Sequence, residues 1–269
     1  MSLKFETEDL IKIEIPTDKH PQPQSDFSLR NVHNVEVNVI FRDHKTRLLE
    51  CIADADFVVG CVAWLTDYDI LDALAEKSGV SIIVQKEDFL RPDGDVSKKT
   101  LRKKYDQLPQ IGGRVVVGGL ISSLSTLGDP KIQSVRCVGN HNRDRNPSFS
   151  RMHNKFLIFM NYLSEDELNN YALQKTFEFM KDKNIQIFDG EVFEVFRRAI
   201  TVIPSENSFV WTGSYNLSYN ATKSFENSVI LRHLDIVQAY WKEWQQITAL
   251  SEPLNWDSVW CEPEWRIGT

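Results

Sequence analysis

Residues 57–65, FVVGCVAWL, are apolar without a break. Nine residues fall well short of the roughly 20 that a membrane helix needs. A strand with one solvated face would alternate apolar and polar positions, and this one does not. It therefore has the pattern of a strand buried on both faces. FLIFM at 156–160 shows the same pattern, and GVSIIVQ at 79–85 reads as a further strand. Between 57–65 and 79–85, Asp67 to Lys77 reads as a helix, with Gly79 where a C-terminal cap falls. Upstream, Val35 to Phe41 alternates as a strand does. His44 to Ala55 then places Leu48, Leu49, Ile52 and Ala53 at helical spacing. This β-α-β-α-β rhythm predicts an α/β domain: a mixed, largely parallel sheet flanked by helices on both faces.

The rest of the chain continues the pattern. Arg114 to Val117, Gln133 to Val138, Phe209 to Thr212 and Phe225 to Leu231 are further strands. Ser164 to Lys183, Glu191 to Thr201 and Asp235 to Leu250 are helices, and Ile185 to Phe188 is a short strand between the first two of these. Residues 1–32 are polar, carry Pro16, Pro21 and Pro23, and read as an arm. Residues 33–250 form the domain and 251–269 a tail. At 269 residues the chain can bury a core without metal or disulfide staples. Its four cysteines, Cys51, Cys61, Cys137 and Cys261, include no CxxC pair, so neither a structural zinc site nor a disulfide framework is expected. That usage, and an N-terminus with no apolar core behind a basic start, points to the cytoplasm. The net charge of -7 argues against coating nucleic acid through the whole surface, but not against a local basic groove.

Chemistry concentrates in two places. Of six histidines, only His153 has a lysine two residues later, in HNKFLIF. On a strand, positions i and i+2 share a face, so imidazole and ammonium would project together. A nucleophile or acid/base beside a cation suits an anionic substrate; two surface residues at a strand start would look the same. The second place is WTGSYN, at the end of the 209–212 strand. It sets a hydroxyl, Ser214, and a carboxamide, Asn216, two residues apart, with small residues that would let a ligand approach the backbone. A strand-to-helix turn with Asn216 as cap is the alternative. Ten residues beyond Asn216 lies Glu226, in SFENSVIL.

Taken in order, HNKFLIF, GSYN and SFENSVIL resemble the phospholipase D superfamily. Its motif is His-x-Lys, four residues and Asp, then Gly-Ser-x-Asn and a downstream Glu. VVGCVAWLTDYDILDALAEKSGVSIIV and HLDIVQAYWKEWQQI look like the family's N-terminal and closing elements, so the resemblance covers most of residues 35–248. One motif per chain is similar to the bacterial endonuclease branch. The resemblance implies a phospholipase D-like fold and a catalytic set of His153, Lys155, Ser214, Asn216 and Glu226, with a phosphohistidine intermediate on His153. Three departures stand out. Met160 holds the place of the motif's Asp, and Met160→Asp is expected to be tolerated or mildly activating. His153 and Gly213 lie 60 residues apart, so 161–206 reads as a helical insertion. There is no second His-x-Lys; His141-Asn142-Arg143 only imitates one.

The residue types suit phosphodiester chemistry. Lys155, Asn216 and Ser214 can donate to the equatorial oxygens of the transition state. Glu226 could orient an imidazole by accepting its other N–H. No cluster of carboxylates has metal-ligand spacing, so neither metal nor cofactor is expected. From Lys131 to Lys155, six cations stand against Asp144, a local net of +5. Arg143, Arg145 and Arg151 could track a phosphate backbone, or the stretch could simply offset the acidic surface. The basic run Lys98, Lys99, Arg102, Lys103, Lys104 is an exposed helix face or a nucleic-acid contact. Trp241, Trp244, Trp256, Trp260 and Trp265 read as core or interface packing. The expected activity is metal-independent cleavage of nucleic acid, DNA rather than RNA, by an endonuclease. A phospholipid-directed hydrolase and a non-catalytic binding module on the same fold are the alternatives. One imidazole cannot act on both sides of an in-line displacement, so a homodimer with the site at its interface is expected, with no membrane association.

Overall fold

The computed structural model describes residues 10–15, 21–87, 90, 96–111, 133–140, 151–188, 190–199 and 203–254. Among these residues eight strands form one sheet in the order β1-β7-β6-β5-β2-β3-β4-β8. They are β1 (Glu36–Ile40), β2 (Phe57–Val62), β3 (Gly79–Gln85), β4 (Val135–Val138), β5 (Lys155–Met160), β6 (Phe209–Gly213), β7 (Ser228–Arg232) and β8 (Glu252–Pro253). The helices are α1 (His44–Ala53), α2 (Tyr68–Ala75), α3 (Val96–Asp106), α4 (Glu165–Asp182), α5 (Gly190–Ala199) and α6 (Leu234–Leu250).

The expected sheet with helices on both faces is present, but it is not largely parallel. Only β2/β3 and β3/β4 run parallel; the other five neighbouring pairs are antiparallel. Burial explains the difference. β2, β3 and β5 are buried at every position because helices cover both faces of the sheet. That cover makes a strand apolar throughout whichever way its neighbour points.

One face packs against α1, α2 and α3, around Leu48, Ile52, Leu71, Leu74, Leu157, Phe159 and Trp211. The other packs against α6 and the N-terminal segment, around Ile13, Ile15, Phe156, Ile158, Met160, Val237 and Trp244. Trp241 and Trp244 belong to this second core, while Trp256, Trp260 and Trp265 lie outside the described residues. Residues 10–32 are tied down in part: Ile13 and Ile15 are buried, and Ser25 N–H donates to Gln246 Oε1 at 2.7 Å. β8 follows α6 directly and is held by a buried Lys86–Glu252 ion pair and by Arg136, which donates to Ser251 Oγ at 2.7 Å.

Local chemistry sets the helix starts. Asp67 caps α2, its carboxylate accepting Asp69 N–H at 3.0 Å and Ile70 N–H at 3.3 Å. Ser164 and Glu167 close a capping box on α4. Helices α4 and α5 pack on each other within the insertion, with Phe179 against Phe196 and Arg197 paired to Glu165 at 2.7 Å. The strand expected at Ile185 to Phe188 does not form. α4 ends on Asn184 in the left-handed region, φ 54°, and 185–188 runs exposed with no strand alongside. Arg114 to Val117 lies outside the described residues.

Candidate active site

The strand register gathers the motifs at one edge of the sheet. Lys155 opens β5 opposite Val62, the last residue of β2. Phe156 pairs with Thr212, Gly213 with Ser228, and Ser228 with Ile40 at the end of β1. The ends of β1, β2 and β6 and the starts of β5 and β7 therefore meet, and the segments 41–44, 63–67, 151–154, 214–218 and 225–227 surround that point. Alternation fixes the face. Leu157 and Phe159 point into the core under α1 and α2, and Lys155 shares their side of β5.

Lys155 is 9% exposed. Its ammonium donates to the His153 carbonyl at 3.0 Å, and among the described residues no carboxylate lies within ion-pair distance. Burial holds its pKa below the usual lysine range, with the Glu226 carboxylate acting the other way. The His153 imidazole is open to solvent and makes no hydrogen bond among the described residues. Partial burial, followed by the charges of Lys155 and Arg151, lowers its pKa from 6.5 and favours the neutral ring.

The Gly213–Asn216 turn is locked to the start of β7. Ser214 N–H donates to Asn227 O at 2.9 Å and Asn227 N–H to Ser214 Oγ at 3.0 Å, while the Ser214 hydroxyl donates to the Glu226 carboxylate. Two expectations change as a result. The Ser214 hydroxyl clamps the loop that carries Glu226 instead of facing a ligand as a free donor. Glu226 accepts from Ser214, and no hydrogen bond joins it to His153. The space beside Gly213 is also taken by protein: a Cβ there would lie 2.1 Å from Asn227 O. The small residue admits the backbone of β7, not a ligand. Asn216 does not cap a helix with its side chain; its Oδ1 is buried and without a partner.

Met160 lies at the far end of β5 from Lys155 and on its opposite face, fully buried in the second core. A residue there cannot touch the site. Arg151 is exposed beside His153, whereas His141, Arg143 and Arg145 lie outside the described residues. Among the described residues no three His, Cys, Asp or Glu side chains are grouped to hold a metal, and no helix is long and apolar enough to cross a membrane.

Two supporting groups have no local sequence signal. His44, at the start of α1, stacks on Tyr215 with ring centroids 5.1 Å apart, and its Nε2 and the Tyr215 hydroxyl are both buried without partners. Burial lowers the His44 pKa; a hydrogen bond to the Ile40 backbone and the charge of Glu226 oppose this. Burial likewise raises Tyr215 to about 12. Gln85, at the end of β3, accepts Met152 N–H at 2.8 Å and donates to the Lys86 and Asn140 carbonyls, fixing the chain one residue before His153.

No family model matches the chain. "Uncharacterized protein L381" of Acanthamoeba polyphaga mimivirus is 30% identical over 234 residues, which are 81% of this chain and 67% of that protein. Among solved structures, NucT from Helicobacter pylori is similar at 12% identity and a TM-score of 0.43, covering 80% of this chain and 98% of its own. Nuc from Salmonella typhimurium, described as a phospholipase D family member, is similar at 15% identity and a TM-score of 0.39, covering 81% and 97%.

Proposed function

We propose that this chain, which belongs to one family with the mimivirus protein, is a metal-independent phosphodiesterase that cleaves nucleic acid, DNA first, through a phosphohistidine. The observation that carries the reading is Lys155. A buried ammonium with one hydrogen bond and no carboxylate counter-ion among the described residues is costly unless an anion completes it. An open imidazole whose lowered pKa favours the neutral ring supplies a nucleophile at the same edge, and the Asn216 carboxamide, through its Nδ2 donor, supplies a second hydrogen-bonding group.

The chemistry proceeds in two displacements. An imidazole nitrogen of His153 attacks phosphorus, the P–N bond forms, and the P–O bond to the leaving nucleoside breaks. Lys155 and Asn216 offset the charge that develops on the equatorial oxygens. The leaving oxygen takes a proton from an acid on the far side of phosphorus. Water then attacks in line and gives a proton to that same far-side group, the P–N bond breaks, and His153 leaves as a neutral ring. We assign the far-side acid to a second imidazole, in its protonated form. A two-fold axis through the strand ends would supply it as the partner's copy of His153, making a homodimer with one composite site. The test is plasmid and single-stranded DNA cleavage by wild type and His153→Ala, with and without chelator. Cleavage that survives chelator and vanishes in the variant supports the reading. Loss with chelator and recovery with magnesium refutes it, as does wild-type cleavage by His153→Ala.

A further inference from the structure

Eight aromatic side chains are exposed among the described residues, and five sit at the edge that holds His153 and Lys155. The strand register places them. Phe41 follows β1. Phe225 immediately precedes Glu226, and Tyr219 lies three residues beyond Asn216. Trp64 and Tyr68 flank the turn after β2, where the Trp64 carbonyl accepts Leu217 N–H at 3.1 Å and Leu217 O accepts Thr66 N–H at 2.7 Å. Phe225 is 92% exposed and Tyr219 60%. The other three are elsewhere: Tyr162 at the opposite end of β5, and Phe177 and Phe188 against each other in the insertion.

Three of the five rings carry a cation over one face. The Arg42 guanidinium is 5.2 Å from the Phe225 centroid, the Lys223 ammonium 4.3 Å from Tyr219, and the Lys104 ammonium 5.5 Å from Tyr68. Lys104 is also ion-paired to Asp72, so Arg42 and Lys223 are the cations open to a phosphate. A ring with one face toward a cation and its edge in water offers its free face to a planar partner and its cation to a phosphate. A polymer with alternating flat bases and anionic phosphates matches both features. A protein surface of net charge -7, like this chain's own, has no matching row of planar groups. Bases inside a duplex are stacked on each other and cannot reach the rings, so the match is to an unpaired strand.

We infer that Phe41, Trp64, Tyr68, Tyr219 and Phe225, with Arg42 and Lys223, form a base-stacking rim that feeds a single strand of nucleic acid across the site. This selects unpaired over duplex substrate, and it rests on the phosphodiesterase reading of that site.

Binding is measured by fluorescence anisotropy with the full His153→Ala chain, using a single-stranded oligonucleotide, its duplex, and an abasic strand of equal charge. The unpaired strand should bind more tightly than the other two. Adding Phe225→Ala or Tyr219→Ala should weaken it about 5- to 150-fold, as for one stacked base lost, and leave the abasic strand unchanged. Both side chains are exposed, so the thermal midpoint should not move. Equal binding of abasic and normal strands overturns the inference. So does unchanged affinity in both variants, or a change in molecular mass in place of affinity, which would make the rim a subunit interface. Cleavage by the wild type is scored separately. A protein that cuts but ignores Phe225 and Tyr219 overturns the rim alone. One that binds through them and never cuts overturns the nuclease reading alone.

Discussion

Replacing Gly213 by alanine tests whether the site depends on the close approach of β6 and β7. The added Cβ would lie 2.1 Å from Asn227 O and 2.7 Å from Ser228 Cα, both backbone atoms. Non-bonded atoms rest at roughly 3.5 Å, so the strands must part by about an ångström at their site ends. That movement breaks the 2.9 Å bond from Ser214 N–H to Asn227 O and the 3.0 Å bond from Asn227 N–H to Ser214 Oγ. Two hydrogen bonds at about 1 kcal/mol each and an overpacking cost of about 1–3 kcal/mol sum to roughly 3–5 kcal/mol. At about 2–4 °C per kcal/mol for a chain near this size, Tm should fall by roughly 6–20 °C. Ser214 and Glu226 shift with the loop, and a 1 Å misplacement costs about a hundredfold in rate. The assay is thermal unfolding, with DNA cleavage followed well below the variant's Tm. Gly190→Ala is the control, since a Cβ there meets nothing within 4 Å; it should be neutral or slightly stabilising. Unchanged Tm and turnover in Gly213→Ala would refute the steric account.

Three further outcomes can be checked. Asn216→Ala should lower turnover about a hundredfold with Tm nearly unchanged, and Glu226→Ala, which releases the Ser214 clamp, should lower it by a similar factor through misplacement of the loop; activity within twofold of wild type would remove that residue from the site. The lowered pKa of His153 keeps its ring neutral as pH falls through 6.5, so the acid limb of the rate profile should lie below that value. Arg151→Gln removes one of the cations responsible and should move the limb upward; a downward shift would contradict the sign. Light scattering should give about twice the 31.1 kDa chain mass, and mixing in His153→Ala subunits should yield nearly inactive heterodimers. A monomer fully active at nanomolar concentration refutes the composite site.

Features set by neighbours in the chain were legible in the sequence. β2 and the FLIFM part of β5 announce themselves as unbroken apolar runs, β3 as an apolar stretch interrupted at Ser81, and Asp67 marks the start of α2. His153 and Lys155 lie two residues apart, and a spacing so short survives into three dimensions. Strand direction was not legible, because double-sided cover makes parallel and antiparallel strands equally apolar. β7 was read from Phe225, but its pairing starts at Ser228: residues 225–227 are held instead by the Ser214 clamp, whose partners lie twelve and thirteen residues apart. His44 carried no signal at all. Its role depends on Tyr215, far along the chain, and only the pairing of β1 with β7 beside β6 brings the two together.

Met160 is the sharpest point of difference between motif and structure, because the sequence pattern places an aspartate there. Five residue steps along β5 separate it from Lys155, about 16 Å at 3.3 Å per residue, and alternation turns it to the α6 face with Phe156 and Ile158. An aspartate there would not support the site. It would lose the packing of a fully buried methionine, about 2–5 kcal/mol, and would place a carboxyl among apolar neighbours. Nearby polar groups are already engaged: Asn161 Oδ1 accepts Asp56 N–H at 2.9 Å, and the Asp56 carboxylate accepts Tyr162 N–H at 3.0 Å. Burial raises a carboxyl pKa, so the new group stays protonated in the folded state to a higher pH than in the unfolded chain. Stability that depends on the protonated form is present below the unfolded value, about 4, and is lost as pH rises through the folded one. The Tm deficit of Met160→Asp should therefore be smallest near pH 4 and grow toward neutrality, while Met160→Leu costs less than about 1.5 kcal/mol at either pH. Turnover per folded molecule should match wild type in both variants. A Met160→Asp protein with wild-type Tm and faster cleavage would mean that position 160 communicates with the site after all.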